Sequence, residues 1–284
     1  MEEASNGLLY GYSFYLDAMS MHWDALVLDD YKAVMPLTYN KKYGVYYLYQ
    51  PFFTASLGVF GNDITTEIFN SFLQAIPNKF KYWDIYFNTK NVFTSAQFTL
   101  HLRTNYVLSL KDTYTNLYHH FRENTKRNIK RCSQLNCSIN TDINVKQVII
   151  LANEQSNKFS PIKAMHYQQF ANLYYYLKSK KQAVIYGVQA VTGQLLAAAV
   201  FFIDNKRAYY ILVGNHPNSK TVGASHALIN AFIKDYAGQN LLLDFEGSDI
   251  KSLAFFYSSF GASIENYAGI QLNKLPFYMQ WFKK

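Results

Sequence analysis

One order of elements occurs twice along this 284-residue chain, and it restricts the fold more than any other feature. The order is helix, three-strand meander, helix, strand. In the first half, residues 6–21 carry Leu9, Tyr12, Leu16 and Met19 at helical spacing. Three apolar runs follow at 23–28, 31–36 and 44–49, parted by the polar turns Asp29-Asp30 and Tyr39-Asn40-Lys41-Lys42. Residues 63–76 set Ile64, Ile68, Phe72 and Ile76 four apart, which predicts a helix, and 81–87 alternates as a strand.

The second half repeats the series. Residues 163–180 read as a helix, and 183–190, 195–203 and 208–214 as strands joined by Thr192-Gly193 and Asp204-Asn205-Lys206. Residues 222–236 place Leu228, Phe232 and Tyr236 on one helix face, and 241–245 is a strand. A strand–helix–strand step requires a crossover, so the strands it joins lie parallel, whereas the meanders are antiparallel. The expected fold is therefore α/β (α+β), with two tandem domains, each a mixed sheet flanked by helices. The domains are placed at 1–108 and 109–284, with 275–284 packing back on the first. Between the two series lie a strand at 106–110, a long basic helix at 113–135 capped by Asp112 or Thr113, a strand at 138–142 and a helix at 145–157.

Composition narrows the classes. Half of the residues are hydrophobic and 16% are charged, which argues against disorder. The longest apolar run, 195–203, is far short of the ~18 residues that span a bilayer. The acidic start Met1-Glu2-Glu3-Ala4 does not read as a signal peptide. Cys132 and Cys137 form neither a zinc site nor a disulfide framework, so no metal and a reduced, cytoplasmic setting are expected. The net charge of +8 raises a polyanionic partner. Residues 1–120 carry 8 Lys+Arg against 10 Asp+Glu, so the excess belongs to the second half. It peaks at Arg122, Lys126, Arg127, Lys130 and Arg131, either a solvated helix face or a contact for phosphate.

Two stretches of the second half resemble the GNAT acyltransferases. Lys220-Thr221-Val222-Gly223-Ala224-Ser225, after Gly214-Asn215-His216-Pro217, resembles the family's Gln/Arg-x-x-Gly-x-Gly/Ala loop, matching it at the central glycine. That loop and the helix behind it hold the pyrophosphate of acyl-CoA, so the resemblance implies donor binding by Asn215, Lys220, Gly223, Ala224 and Ser225. The same residues also read as an ordinary capped helix start. Residues 252–262, with Tyr257 and Gly261, resemble the segment whose tyrosine protonates the leaving thiolate. Tyr257 reads alternatively as a core aromatic beside Phe255 and Phe256.

The basic stretch 125–132 and Leu243-Asp244-Phe245-Glu246-Gly247-Ser248 resemble the FemAB-type branch, which has two GNAT-like domains in tandem and adds tRNA-carried amino acids to peptidoglycan precursors. The resemblance implies an acyltransferase that moves an acyl or aminoacyl group from acyl-CoA or aminoacyl-tRNA to an amine. No cofactor is tightly bound; acyl-CoA enters as a donor substrate. Glu246 or Asp244 at the strand end would bind or deprotonate the amine, unless Asp244 ties down a loop. Lys126, Arg127, Lys130 and Ser248 would contact the phosphate-bearing substrate. The alternative is a non-catalytic module of the same fold that binds RNA or diphosphate-linked precursors.

Overall fold

The computed structural model describes residues 1, 3–156, 162–204, 206–247, 249–277 and 279. Ser248 and part of 275–284 lie outside them. In chain order come α1 (Ser13–Met19), β1 (His22–Leu28), β2 (Ala33–Lys42), β3 (Val45–Tyr49), β4 (Phe60–Gly61), α2 (Thr66–Ala75), β5 (Phe80–Tyr86) and β6 (Leu100–Ser109). Then follow α3 (Tyr114–His119), α4 (Glu123–Gln134), β7 (Ser138–Asn140), α5 (Val145–Ser156), α6 (Ala164–Ser179), β8 (Ala183–Gln189), β9 (Leu195–Ile203) and β10 (Arg207–Asn215). The chain continues through α7 (Ser219–Val222), α8 (Ala224–Tyr236), β11 (Leu242–Asp244), α9 (Lys251–Ser258) and β12 (Ser263–Asn273). Among the described residues no helix is long and apolar enough to cross a membrane.

Two compact units result, Met1–Thr104 with Glu265–Lys284, and Asn105–Ile264. The division differs from the single boundary expected at 108, because residues 269–273 of β12 pair antiparallel with β5. Ala268 and Ile270 accordingly join the first unit's core.

In the first unit β1, β2 and β3 form an antiparallel meander, and β3 meets β5 in parallel across α2, as the crossover argument requires. Thr65 caps α2 by accepting the N–H of Ile68 at 3.3 Å. Phe69, Phe72 and Leu73 of α2 are buried with Met35, Leu37 and Trp83. The turn expected at 39–42 is instead strand. β2 runs through Lys42, and Tyr43 and Gly44 turn the chain with φ of 50° and 82°. Two residues with positive φ form a hairpin turn whose twist suits the flanking strands.

The second unit repeats this plan. β7 to β10 are antiparallel, and β10 meets β11 in parallel across α8. The run in β9 is almost uniformly apolar because both of its faces are covered. Phe201 stacks on Phe232 of α8 at 3.9 Å between ring centres, and Phe202 stacks on Phe170 of α6 at 5.3 Å. α5 lies close against β10 at Gly214, where a Cβ would come within 2.6 Å of the Ala152 nitrogen.

Two expected helices are broken. The basic helix 113–135 divides into α3 and α4, and Arg122 between them is extended (φ −65°, ψ 152°). Its N–H donates to the Ser259 carbonyl at 2.9 Å, and the buried Phe121 packs edge-on against Phe260. These contacts draw the chain onto the end of α9, which a continuous helix would prevent, so Arg122 does not share a helical face with Lys126 and Lys130. The helix expected at 222–236 begins at Ala224, because Gly223 turns left-handed with φ of 80°.

Gly214→Ala should destabilise the protein by about 1–3 kcal/mol, the usual effect of overpacking where backbone blocks relaxation. Urea denaturation with an unchanged m-value checks this.

Candidate active site

β10 and β11 are neighbours for only three register pairs, Arg207–Tyr209 against Leu242–Asp244. β10 runs on to Asn215 beside β9, while the chain after β11 turns out of the sheet through two left-handed residues, Glu246 (φ 66°) and Gly247 (φ 77°). The β10–β9 register also shifts between Tyr210 and Leu212, a bulge of the kind that re-aims side chains. Along this stretch of β10 lies a cleft of about 760 Å³.

β10 and the following loop give the cleft Tyr210, Val213, Asn215 and His216. The α7–α8 segment gives Ser219, Lys220, Ser225 and His226, and α9 gives Ser252, Phe255, Phe256 and Tyr257. Asn124 and Asn128 of α4 and Gln155 of α5 complete its polar wall. Of the residues read as donor-binding, Asn215, Lys220 and Ser225 therefore meet here together with Tyr257.

A hydrogen-bond web fixes the wall. Asn215 Oδ1 accepts from Ser225 Oγ at 2.6 Å and from Ser219 Oγ at 3.3 Å. The Asn215 backbone N–H donates to Gln155 Oε1 at 2.9 Å. Gly223 and Ala224 act behind the wall. A Cβ on Gly223 would lie 2.4 Å from the Asn128 carbonyl oxygen, so the glycine lets α4 approach. Ala224 is fully buried in the core.

Tyr257 is 8% exposed, with its ring stacked on Phe245 at 4.8 Å. Burial, and then the nearby charge of Glu246, push the phenol above its ordinary range, so it keeps its proton at neutral pH. Burial raises Tyr210 in the same way. His226 lies in the first turn of α8 with its ring edge-on to Phe256 at 4.8 Å, and burial lowers its pKa to about 4.

Asp244 and Glu246 are not among the lining residues. Asp244, 5% exposed, pairs with the Arg207 guanidinium and accepts from Asn105 Nδ2 at 2.9 Å and from the Glu246 N–H at 2.8 Å. It is committed to holding β6, β10 and β11 together. The strand ends at Asp244, and Glu246 and Gly247 beyond it turn left-handed. Lys126, Arg127 and Lys130 do not line the cleft either. Asn124 and Asn128 form the cleft-facing row of α4, and at 100° per residue Lys126 and Lys130 fall on its opposite side. Lys126 pairs instead with Glu123 at 2.9 Å, while Arg127 and Lys130 are exposed. Arg122 of the same basic run lies over the ring of Phe255 at 4.7 Å.

Sequence reading missed Tyr210, Asn124, Asn128, Gln155 and His226. The i, i+4 spacing of the two asparagines and the place of His226 one residue beyond the glycine loop were usable signals. Gln155 gave none, since its place depends on how α5 packs.

Two outcomes are expected. Asp244→Ala should cost about 3–5 kcal/mol in chemical denaturation, because it removes the buried carboxylate that Arg207, Asn105 and the Glu246 N–H share. For His226, the folded pKa near 4 lies below the unfolded value of about 6.5, so the unfolded chain binds the proton first as pH falls. Stability should drop between pH 6.5 and 4, and His226→Gln should flatten that part of a Tm-against-pH curve.

No protein-family model and no curated protein sequence matches the chain. Solved structures do. A structure of FemX aligns over 100% of this chain and 96% of its own, with a TM-score of 0.67 at 12% identity. The C-terminal domain (DUF2156) of a putative lysylphosphatidylglycerol synthetase from Agrobacterium fabrum aligns over 89% of this chain and 84% of its own, with a TM-score of 0.55 at 9% identity. L-PGS from Bacillus licheniformis aligns over 92% and 87%, with a TM-score of 0.54 at 10% identity. Similarity at such identities is a similarity of fold. The chain has the FemX-like fold, with the mixed sheet that the repeated element order implied.

Proposed function

We propose that the protein is an acyltransferase that moves an acyl or aminoacyl group from a phosphate-bearing donor to an amine acceptor. The observation that carries this reading is the open edge of β10, where Asn215, Lys220 and Ser225 meet the buried hydroxyl-bearing ring of Tyr257 in one cleft. In the transfer step the acceptor nitrogen attacks the donor carbonyl. A C–N bond forms, the donor's C–S or C–O bond breaks, and Tyr257 gives its proton to the departing atom. Lys220, exposed at the cleft, supplies positive charge for the donor's phosphate.

Burial keeps the Tyr257 phenol protonated, so it holds a proton for the atom that departs. The donor proposed is an aminoacyl ester on tRNA, as the resemblance to the FemAB-type branch implies, with acyl-CoA as the alternative. The fold is shared with a domain of a putative lysylphosphatidylglycerol synthetase, a name that describes an aminoacyl product and supports an aminoacyl group as the one transferred. A cell-wall precursor bearing a free amine is the acceptor that the resemblance to the FemAB-type branch implies.

The test incubates the protein with aminoacyl-tRNAs or acetyl-CoA and an amine-bearing muropeptide, and follows labelled product. Transfer from aminoacyl-tRNA is expected, and Tyr257→Phe should lower kcat by about 10²–10⁴ while the circular dichroism spectrum stays unchanged. Transfer from acetyl-CoA alone would reverse the donor choice. Absence of transfer from every donor would remove the enzyme reading.

A further inference from the structure

We infer that His226 is the hydrogen-bond donor that holds the donor's carbonyl oxygen as negative charge develops on it. The inference rests on the transferase reading and concerns the same cleft. His226 lines the cleft together with Tyr210 and Tyr257. Its ring is set by two aromatic neighbours, Phe256 edge-on at 4.8 Å and Phe260 at 5.8 Å with an interplanar angle of 33°. Such packing limits the ring's rotation, and pre-set donors are what oxyanion stabilisation requires.

Most other polar groups of the cleft are already engaged. Asn215, Ser219 and Ser225 bond to one another, and Gln155 accepts from Asn215. His216 meets Gln194 at 3.1 Å and accepts from the Asn218 N–H at 3.2 Å. Asn128 donates to the Asn124 carbonyl at 2.8 Å. The His226 ring lines the cleft, and its nitrogens have no hydrogen-bond partner among the described residues. In either tautomer a neutral imidazole presents one N–H donor. Burial keeps this imidazole neutral at physiological pH, with a pKa of about 4, so it adds no second cation beside the acceptor amine. A neutral imidazole of this kind polarises a carbonyl by its N–H.

The step balances without further reagents. The acceptor nitrogen bonds to the carbonyl carbon, and the C=O π electrons move onto the oxygen held by His226. Re-forming the C=O breaks the donor's C–O bond. The leaving oxygen takes the Tyr257 proton, and the proton shed by the nitrogen goes to water, which reprotonates Tyr257. His226 keeps its proton throughout.

The test compares wild type, His226→Ala and His226→Gln in the aminoacyl-tRNA and muropeptide assay, with circular dichroism and thermal melts as checks on folding. His226→Ala should lower kcat by about 10²–10³ with KM changed by no more than about threefold. His226→Gln restores an N–H donor without a titrating group, and should recover at least about tenfold of that loss with an unchanged pH profile. Alanine and glutamine variants that both turn over within about threefold of wild type would overturn the inference while leaving the transferase reading intact. Equal loss in both variants, with disappearance of an acid limb in kcat, would overturn it in favour of a proton-accepting histidine. A wild-type protein that transfers nothing would sink the transferase reading, and this inference with it.

Discussion

Asp244 sets a carboxylate, 5% exposed, at the point where two parallel strands part, and groups from three segments hold it there. Arg207 reaches it from β10, Asn105 from β6, and the Glu246 N–H from the turn beyond β11. A buried charge is costly unless it is paired and its remaining lone pairs are engaged, and here both conditions are met. The cleft follows from this arrangement. β11 stays on β10 for three register pairs, the left-handed turn at Glu246 and Gly247 takes the chain out of the sheet, and the rest of β10 borders open space.

The aromatic residues build the walls that this opening needs. Phe245, the residue after Asp244, stacks on Tyr257, and Tyr257 meets Tyr210 edge-on at 6.5 Å. Phe256 and Phe260 enclose His226. A phenol that keeps its proton and an imidazole that refuses one both follow chiefly from burial among these rings, with the charge of Glu246 adding to the first. Most of the buried aromatic rings build the cores of the two units, and a few of them also desolvate the titratable groups of the cleft.

The positive charge has a different place from the one its density suggested. Arg127, Lys130 and Arg131 are exposed and Lys126 pairs with Glu123, while the row of α4 that reaches the cleft carries amides. Helical geometry explains the difference. A run of basic residues covers every side of a helix, whereas a packed helix turns only one row of side chains toward a given wall. The row is chosen by what α4 buries, Thr125 and Cys132, and by the close approach that Gly223 permits.

Much of the fold was legible in the residues themselves. Apolar spacing located most helices and strands, though not β4, α7 or the long β12, and the two strand–helix–strand steps dictated where parallel pairs must stand, because a crossover joins parallel neighbours. Asn215, Lys220, Ser225 and Tyr257, named from the resemblance of two short motifs, line one cleft. The tertiary structure decided the rest. It broke the basic helix at Arg122, returned β12 to the first unit, and turned Asp244 from a candidate catalyst into an anchor. It also brought Asn124, Asn128, Gln155 and His226 to the cleft. Periodicity reports which face of an element is apolar. Which polar residue on the remaining faces meets a distant strand depends on long-range packing, and local sequence carries no record of that.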